Sequence, residues 1–383
     1  MFSLHTYRSL VKAAVTKNTP IYVQFYITAR CNLTCVQCNI RYANADVREC
    51  TLDEIKRIAE NFATIGVGMI LLTGGEPYAR TDLPEIIREF ESRGIHVRMQ
   101  TNGLASEEMI HKSIEYGGKD ISISLDSLHP KTQDEINGGY PGTWQRAIHA
   151  IAMYTKYLPK KGSFASLGCV LQRKNISDIP DVIRFGTAIG WHTSMVPIHI
   201  SPLTHPRGFR SYDKSLAFTK EDYPNVTSLI EQVRRMRDTG YLLYDSDQYL
   251  DDINRFVRGE PTTWRDKNDG VCDSPNLYFA VLPNGAMAPC CDWRLPTSYF
   301  TYALDFPSVY TSRALRKETF AITGACAGCM YGSYPEMTIS MRYLPAKLQR
   351  IKTFMVAPPE KPWPLSESDM IALATKIRVH HTL

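Results

Sequence analysis

An α/β fold built on a parallel sheet is the architecture this sequence predicts, and three features carry the prediction. Short apolar runs of strand length recur six times between residues 21 and 200, each followed by a stretch with helical spacing or helix-start signals. The runs are of the type found in strands covered on both faces, with helices outside. Chemically distinctive residues also cluster at the carboxyl ends of the runs, where ligands gather in parallel α/β folds.

Taken in order, residues 1–20 read as a helical lead-in broken at Asn18-Thr-Pro20. The first strand, 21–28, delivers a cysteine-rich loop. Thr51-Leu-Asp-Glu54 is a capping box, and Ile55, Ile58, Ala59 and Phe62 then follow helical spacing. Residues 67–73 form the second strand, and a helix opens at 81–85 and runs to about residue 92. Strand three, 96–100, ends in Thr101-Asn-Gly103; a helix follows over 107–116. Strand four, 120–125, ends in Asp126-Ser127, and a helix spans 143–157 after a Gly-Gly-Tyr-Pro-Gly turn. Strand five is 165–171, a helix runs 177–189, and strand six is 191–200.

Beyond the sixth strand, 202–218 is a Pro- and aromatic-containing loop, 220–237 a charged helix read as a solvated linker, and 252–258 a short helical piece. An apolar-alternating segment, 277–287, announces a β-rich C-terminal unit. Prolines at 358, 359, 362 and 364 precede an amphipathic helix, 366–379, ending in His380-His381, which reads as a frayed end. The expected divisions are 1–20 lead-in, 21–215 main domain, 216–265 helical linker, 266–343 C-terminal unit and 344–383 tail.

At 383 residues the chain exceeds one average domain, and its 44% hydrophobic and 22% charged content is ordinary for a globular protein. No run of about 18 apolar residues predicts a membrane span, and the N-terminal stretch lacks a signal-peptide core, so a cytoplasmic location is expected. The formal charge of +5 comes without a basic block, so nucleic acid is not an expected partner. Ten cysteines without a secretory signal argue for metal or redox use over a disulfide framework.

The first cysteine motif is Cys31-Asn-Leu-Thr-Cys35-Val-Gln-Cys38, directly after the first strand. Thiolates are soft ligands that suit zinc, copper(I) or iron–sulfur clusters. No His or Cys follows closely enough to complete a local four-ligand zinc cage. A cubane cluster held by three cysteines leaves one iron open to a small molecule. The second motif, Leu71-Leu72-Thr73-Gly74-Gly75-Glu76-Pro77, follows the second strand.

The C-x3-C-x2-C spacing after a strand, followed at the right distance by this Gly-Gly-Glu-Pro segment, resembles the radical S-adenosylmethionine (SAM) superfamily. The resemblance implies a partial (β/α)6 barrel. It also implies a [4Fe–4S] cluster on Cys31, Cys35 and Cys38 that binds SAM at its open iron. Reductive cleavage would yield methionine and a 5′-deoxyadenosyl radical that abstracts a substrate hydrogen atom. It assigns SAM contacts to Gly74, Gly75 and Glu76, and to Asn102, Ser124 and Asp126 after strands three and four. Gln37 stands where relatives carry an aromatic residue that packs on adenine. Asn137 stands near a turn where many relatives carry an arginine, and Arg146 or Arg173 are the alternatives for the SAM carboxylate.

Cys272, twelve residues, Gly285, four residues, Cys290 matches the opening of the SPASM/Twitch extension, and Cys326-Ala-Gly-Cys329 supplies a further pair. Four ligands imply one auxiliary [4Fe–4S] cluster, closed to substrate and suited to electron transfer; zinc on the same four cysteines is the alternative. The G-x4-C spacing selects Cys290 over Cys291. Cys50 and Cys169 read as small hydrophobes.

Superfamily membership leaves the reaction open. The expected activity is dehydrogenation or epimerisation of a small polyol, aminocyclitol or sugar-like metabolite in natural-product biosynthesis. The electron source would be external, such as flavodoxin or ferredoxin. Modification of a ribosomal peptide by crosslink, thioether or epimerisation is the alternative, and a non-catalytic metal-holding interaction protein the third. Arg173, His199 and Tyr331 are the candidates for a substrate base.

Overall fold

The structure is a computed structural model, and it describes residues 2–38, 48–200, 213–265, 272–326, 328–355 and 361–381. The loop expected at 202–218 and the diproline at 358–359 fall wholly or partly outside the described residues.

One eight-stranded sheet organises the chain, in the order β6-β5-β4-β3-β2-β1-β7-β8. Its strands are β1 (Tyr22–Thr28), β2 (Met69–Gly74), β3 (His96–Thr101), β4 (Asp120–Ser124), β5 (Phe164–Leu171), β6 (His192–Pro197), β7 (Tyr278–Val281) and β8 (Met287–Ala288). All neighbours pair in parallel except the terminal β7–β8 hairpin. The six expected strand–helix units are present, and the arrangement is that of a partial, open barrel.

Helices fill the outside. They are α1 (Leu4–Thr16), α2 (Leu52–Ile65), α3 (Leu83–Glu91), α4 (Glu107–Glu115), α5 (Pro130–Ile136), α6 (Thr143–Tyr157) and α7 (Ile179–Ala188). After β6 come α8 (Tyr223–Asp238), α9 (Asp247–Val257), α10 (Phe306–Thr311), α11 (Arg313–Ala325), α12 (Ser333–Arg342), α13 (Leu344–Met355) and α14 (Glu367–His380). The predicted capping box starts α2: the Thr51 hydroxyl accepts from the Glu54 amide, and the Glu54 side chain accepts from the Thr51 amide.

The strand faces divide cleanly. Val97, Met99, Ile121, Ile123, Ala165 and Leu167 pack outward against helices in the main core. Each of these except Ala165 contributes on the order of 1.5–3 kcal/mol through apolar burial. The alternate residues point to the concave side, because strand side chains alternate. The Arg98 guanidinium accordingly donates to the Ser166 hydroxyl at 2.9 Å, and a Cβ on Gly168 would lie 3.1 Å from the Ser122 hydroxyl.

Three departures from the sequence reading have physical reasons. The helix expected as a solvated linker is α8, and it buries Val226, Leu229, Ile230, Val233 and Met236 against the outer faces of β5 and β6. Its charge density masked an apolar stripe at helical spacing. The C-terminal unit continues the barrel sheet: β7 pairs with β1 in register Tyr22↔Tyr278 to Phe25↔Val281, and apart from the two-residue β8 the other regular elements there are helices. His381 caps α14 in the left-handed conformation, and its ring meets the Asp181 carboxylate at 2.9 Å, so this end is anchored. Besides the three helices of the C-terminal unit (α10, α11 and α12), α5 and α13 were not foreseen; Pro at the start of one and a mixed basic sequence in the other blurred their periodicity.

The sheet's free edges are β6 and β8, and residues 329–342 reach across the opening from β6. The Tyr22 hydroxyl donates to Ser333 at 2.9 Å, and a Cβ on Gly332 would lie 3.0 Å from a Val196 methyl. The start of α12 therefore touches both β1 and β6.

Candidate active site

The loop after β1 holds the first three cysteines, all half-buried, between two neighbouring turns. On one side the Val36 amide donates to the Ile136 carbonyl at 3.0 Å, and the Cys35 thiol donates to Asn137 Oδ1 at 3.5 Å. A Cβ on Gly138 would lie 2.4 Å from the Thr34 hydroxyl, so that turn approaches the loop backbone closely. On the other side Asn102 Nδ2 donates to Asn32 Oδ1 at 2.8 Å and reaches Cys31 Sγ at 3.8 Å. Asn137, where relatives have arginine, thus holds the loop and also donates to the Thr143 hydroxyl.

Burial raises the Cys35 pKa well above the thiol range, and nearby Cys38, Asp126 and Cys31 raise it further. Such a site favours a bound cationic centre that deprotonates its thiols. Among the described residues no three His, Cys, Asp or Glu side chains converge closely enough to hold a single metal ion. A four-iron cluster does not ask for that convergence, because each thiolate takes a different iron. The donor set, its loop and its half-exposure fit the cluster.

The Gly-Gly-Glu-Pro segment ends β2 against this loop. A Cβ on Gly74 would lie 2.2 Å from the Thr28 carbonyl oxygen, and one on Gly75 would lie 2.1 Å from the Arg30 carbonyl oxygen. The glycines are required here by the backbone next door, one residue before Cys31. Glu76 is buried and accepts from the Tyr78 amide at 3.0 Å, the Asn102 amide at 2.8 Å and the Thr101 hydroxyl at 2.7 Å. It ties the end of β2 to the end of β3. Burial pushes its pKa up to about 7, against the pull of those three donors.

At the ends of β4 and β5 lie Ser124, half-buried, and Asp126, buried. Asp126 accepts from the Val170 amide at 2.6 Å, and Gln37 Nε2 approaches its other oxygen at 3.5 Å. Burial raises the Asp126 pKa to about 7. The Gln37 amide oxygen is itself buried without a hydrogen-bond partner. Sequence reasoning missed Gln133, whose Oε1 accepts the amides of Asp126 and Ser127, and Asn175, which donates to the carbonyls of Asp126 and Val170. Their position after strands four and five was the only available signal. It missed Gln172 too, buried directly after β5 with both amide atoms unpartnered. Arg173 is engaged by Asp222 at 2.8 Å, and Arg146 is exposed on α6.

The second group of cysteines lies where the C-terminal region meets the barrel. The Cys272 thiol is 3.1 Å from the Tyr278 hydroxyl, and burial pushes it up to about 12. Cys290 and Cys326 are near enough to raise it further. Cys290 is half-buried; Cys291 is buried, hydrogen-bonded to Cys290 and within electrostatic reach of Cys329. The Gly328 amide donates to the Cys326 thiol at 3.5 Å, and the Cys329 carbonyl accepts from the Trp264 indole at 2.9 Å. His199, after β6, accepts from the Met330 amide at 2.9 Å and stacks on Tyr331 with centroids 4.0 Å apart. That acceptor role occupies Nε2 and makes His199 a fastener between the two regions. Cys50 and Cys169 are buried among apolar side chains.

Between these sites, towards the carboxyl ends of the strands, the concave face carries Gln24, Gln100, Ser122, Ser124 and Ser194, the last donating to Asp245 at 2.7 Å, while Arg98 and Asp120 pair at 3.4 Å nearer the amino ends. Gln24, Gln100, Ser124, Gly168 and Ser194 are partly accessible, whereas the outward residues beside them are buried.

Comparison with known proteins agrees with this geometry. The family model described as the radical SAM superfamily matches residues 25–186. An AdoMet-dependent heme synthase of Methanosarcina barkeri is 30% identical over 176 residues, 45% of this chain and 49% of that protein. The chain thus spans about half the length of that relative. A probable GTP 3′,8-cyclase of Archaeoglobus fulgidus is 29% identical over 221 residues, 56% of this chain and 71% of that protein. Among solved structures, Streptococcus suis SuiB bound to S-adenosylmethionine superposes with a TM-score of 0.58 at 17% identity, covering 82% of this chain and 71% of SuiB. The anSMEcpe structure with AdoMet and the Cp18Cys peptide gives 0.54 at 16% identity, covering 93% and 99%. These two likenesses concern the fold. With the cysteine loop, the Gly-Gly-Glu-Pro turn and the matched stretch on one parallel sheet, residues 25–186 form a radical SAM domain, a family membership that implies a [4Fe–4S] cluster and SAM.

Proposed function

We propose that this protein is a radical SAM enzyme acting on a C–H bond of a small, polar, hydroxylated metabolite, by dehydrogenation or epimerisation. Cys31, Cys35 and Cys38 hold the [4Fe–4S] cluster, with SAM positioned by the Gly74–Glu76 edge, Gln37, Asn102, Ser124 and Asp126. When bound, the cluster and SAM supply reductive cleavage and hydrogen-atom abstraction. The chain contributes placement: Glu76 holds the ends of β2 and β3 together, and Asn102 and Asn137 brace the cysteine loop from opposite sides. Cys272, Cys290, Cys326 and Cys329 hold a second cluster that carries electrons, and His199 fastens its C-terminal pair to β6.

The observation that carries the substrate class is the wall of neutral amides and hydroxyls on the concave face. Such groups satisfy hydroxyls and amines directionally, and a substrate lacking them leaves the wall unpaired. Anaerobically reconstituted protein should hold about eight irons, the sum of two four-iron clusters. Reduced with SAM, it should form 5′-deoxyadenosine and take deuterium from one carbon of a labelled polyol or aminocyclitol. Undiminished 5′-deoxyadenosine after Cys31→Ala, Cys35→Ala and Cys38→Ala together would refute the enzyme reading. Deuterium arriving only from a labelled peptide would refute the substrate class.

A further inference from the structure

Two helices, one on either side of α12, are built inside out: α1 packs on α12, and α13 follows it in the chain. In α1 the buried residues are Thr6, Ser9 and Ala13, while Leu4, Tyr7, Val11 and Val15 are 65%, 54%, 65% and 77% exposed. These four stand at i, i+3, i+7 and i+11, one stripe along the helix. In α13, Ala346 is buried while Leu344, Leu348 and Ile351 are 63%, 58% and 46% exposed, again along one stripe. A soluble surface helix normally does the reverse, and contiguous exposed apolar surface marks an interaction site.

The charged side chains of the two helices are all basic, although Asp247 of α9 bonds Gln349 of α13. Neither helix contains an acidic residue, and none occurs from residue 1 to 45 or from 337 to 359. Arg8, Lys12 and Lys352 are exposed, and Lys347 is half-buried. A second copy docked face to face would bring like charges together, which opposes self-association here.

The face backs onto the C-terminal cysteines. On its inner side α1 packs Leu10, Ala13 and Ala14 into the apolar cluster that also holds Cys272, Cys290 and Met341. Arg342, two residues before α13, pairs with Asp273, the residue after Cys272, at 2.8 Å. Lys17, at the end of α1, lies within electrostatic reach of Lys347, Arg342 and Asp273. The ends of both helices therefore meet beside Cys272.

We propose that the exposed face of α1 and α13 is the docking surface for an acidic one-electron carrier protein, which passes its electron to the C-terminal cysteine centre. The proposal rests on the second cluster of the function proposed above. The carrier is oxidised by one electron, the centre is reduced by one, and no proton or group is transferred. A modest apolar patch interspersed with basic side chains suits a transient redox encounter, which needs little area and gains its rate from electrostatic steering.

The test uses the full reconstituted chain, with flavodoxin hydroquinone as the protein reductant and dithionite as the small-molecule reductant. Stopped-flow absorbance follows cluster reduction directly. In wild type the flavodoxin rate should fall steeply between about 0.05 and 0.5 M salt. Lys12→Glu with Lys352→Glu, and separately Val11→Ser with Leu348→Ser, should slow it about tenfold or more. Reduction by dithionite, and 5′-deoxyadenosine formed with it, should be unchanged. Wild-type flavodoxin rates in both variants overturn the proposal. So does a wild type that co-sediments with phosphatidylglycerol vesicles while its flavodoxin rate ignores the substitutions, or a solution dimer that these substitutions dissociate. Failure of wild type to form 5′-deoxyadenosine even with dithionite refutes the function itself, and this proposal with it.

Discussion

Replacing Gly75 with alanine tests how the Gly-Gly-Glu-Pro turn and the cysteine loop depend on each other. The new methyl would lie 2.1 Å from the Arg30 carbonyl oxygen, 2.5 Å from its carbon and 2.8 Å from the Ala29 oxygen. These are backbone atoms, so no side chain can swing aside. To reach about 3 Å the loop must retreat by about 1 Å, an overpacking strain of about 1–3 kcal/mol. The same shift stretches the bond from the Glu76 amide to the Arg30 oxygen, now 2.8 Å, and forfeits about 1 kcal/mol more. The sum is about 2–4 kcal/mol, read by urea unfolding of the apo-protein. Because Cys31 follows Arg30, the retreat also misplaces a ligand, and a misplacement of about 1 Å costs on the order of 10²-fold in rate. Gly324→Ala is the control: in α11 a Cβ there meets nothing within 4 Å, so it should gain up to about 1 kcal/mol. A Gly75→Ala protein within about 0.5 kcal/mol of wild type, with unchanged iron content, would refute the reasoning.

Other perturbations follow from the same geometry. Burial raises the Asp126 pKa above its unfolded value of 3.8 to about 7, so its contribution to stability is complete below the unfolded pKa and is lost as pH rises through the folded one. Asp126→Asn keeps an acceptor for the Val170 amide, and with the Gln37 amide turned over its NH2 donates to the Gln37 oxygen; it should flatten that profile and stabilise the apo-protein at pH 8 by about 1–4 kcal/mol. Superimposable pH profiles would contradict it. Glu76→Gln leaves at least one of three buried donors facing an amide NH2, and should lower apo-protein stability by about 1–3 kcal/mol in the same unfolding assay. His199→Ala strips the acceptor from the Met330 amide and the stack on Tyr331; hydrogen exchange at residues 328–332 should rise, and unchanged exchange would show that the histidine fastens nothing.

Much of the barrel was written locally. The alternation of apolar strands with capped helices, the Thr51 capping box and the spacing of Cys31, Cys35 and Cys38 each depend on residues within a turn or two of one another. Local periodicity and ligand spacing therefore sufficed to set the sheet, its parallel sense and the carboxyl-end position of the site. What required the tertiary structure was every contact between distant segments. The Gly75 backbone against Arg30, the Glu76 clasp on Thr101 and Asn102, and the partnering of Asp126 by Gln37 and Val170 join residues brought together only by sheet register. The pairing of β7 with β1, and the bond from Met330 to His199, likewise join segments far apart in the chain. The inverted face of α1 looks like that of an ordinary helix in sequence, because periodicity reveals that a stripe exists but not which side meets the core. Burial decides that, and burial is a property of the assembled fold.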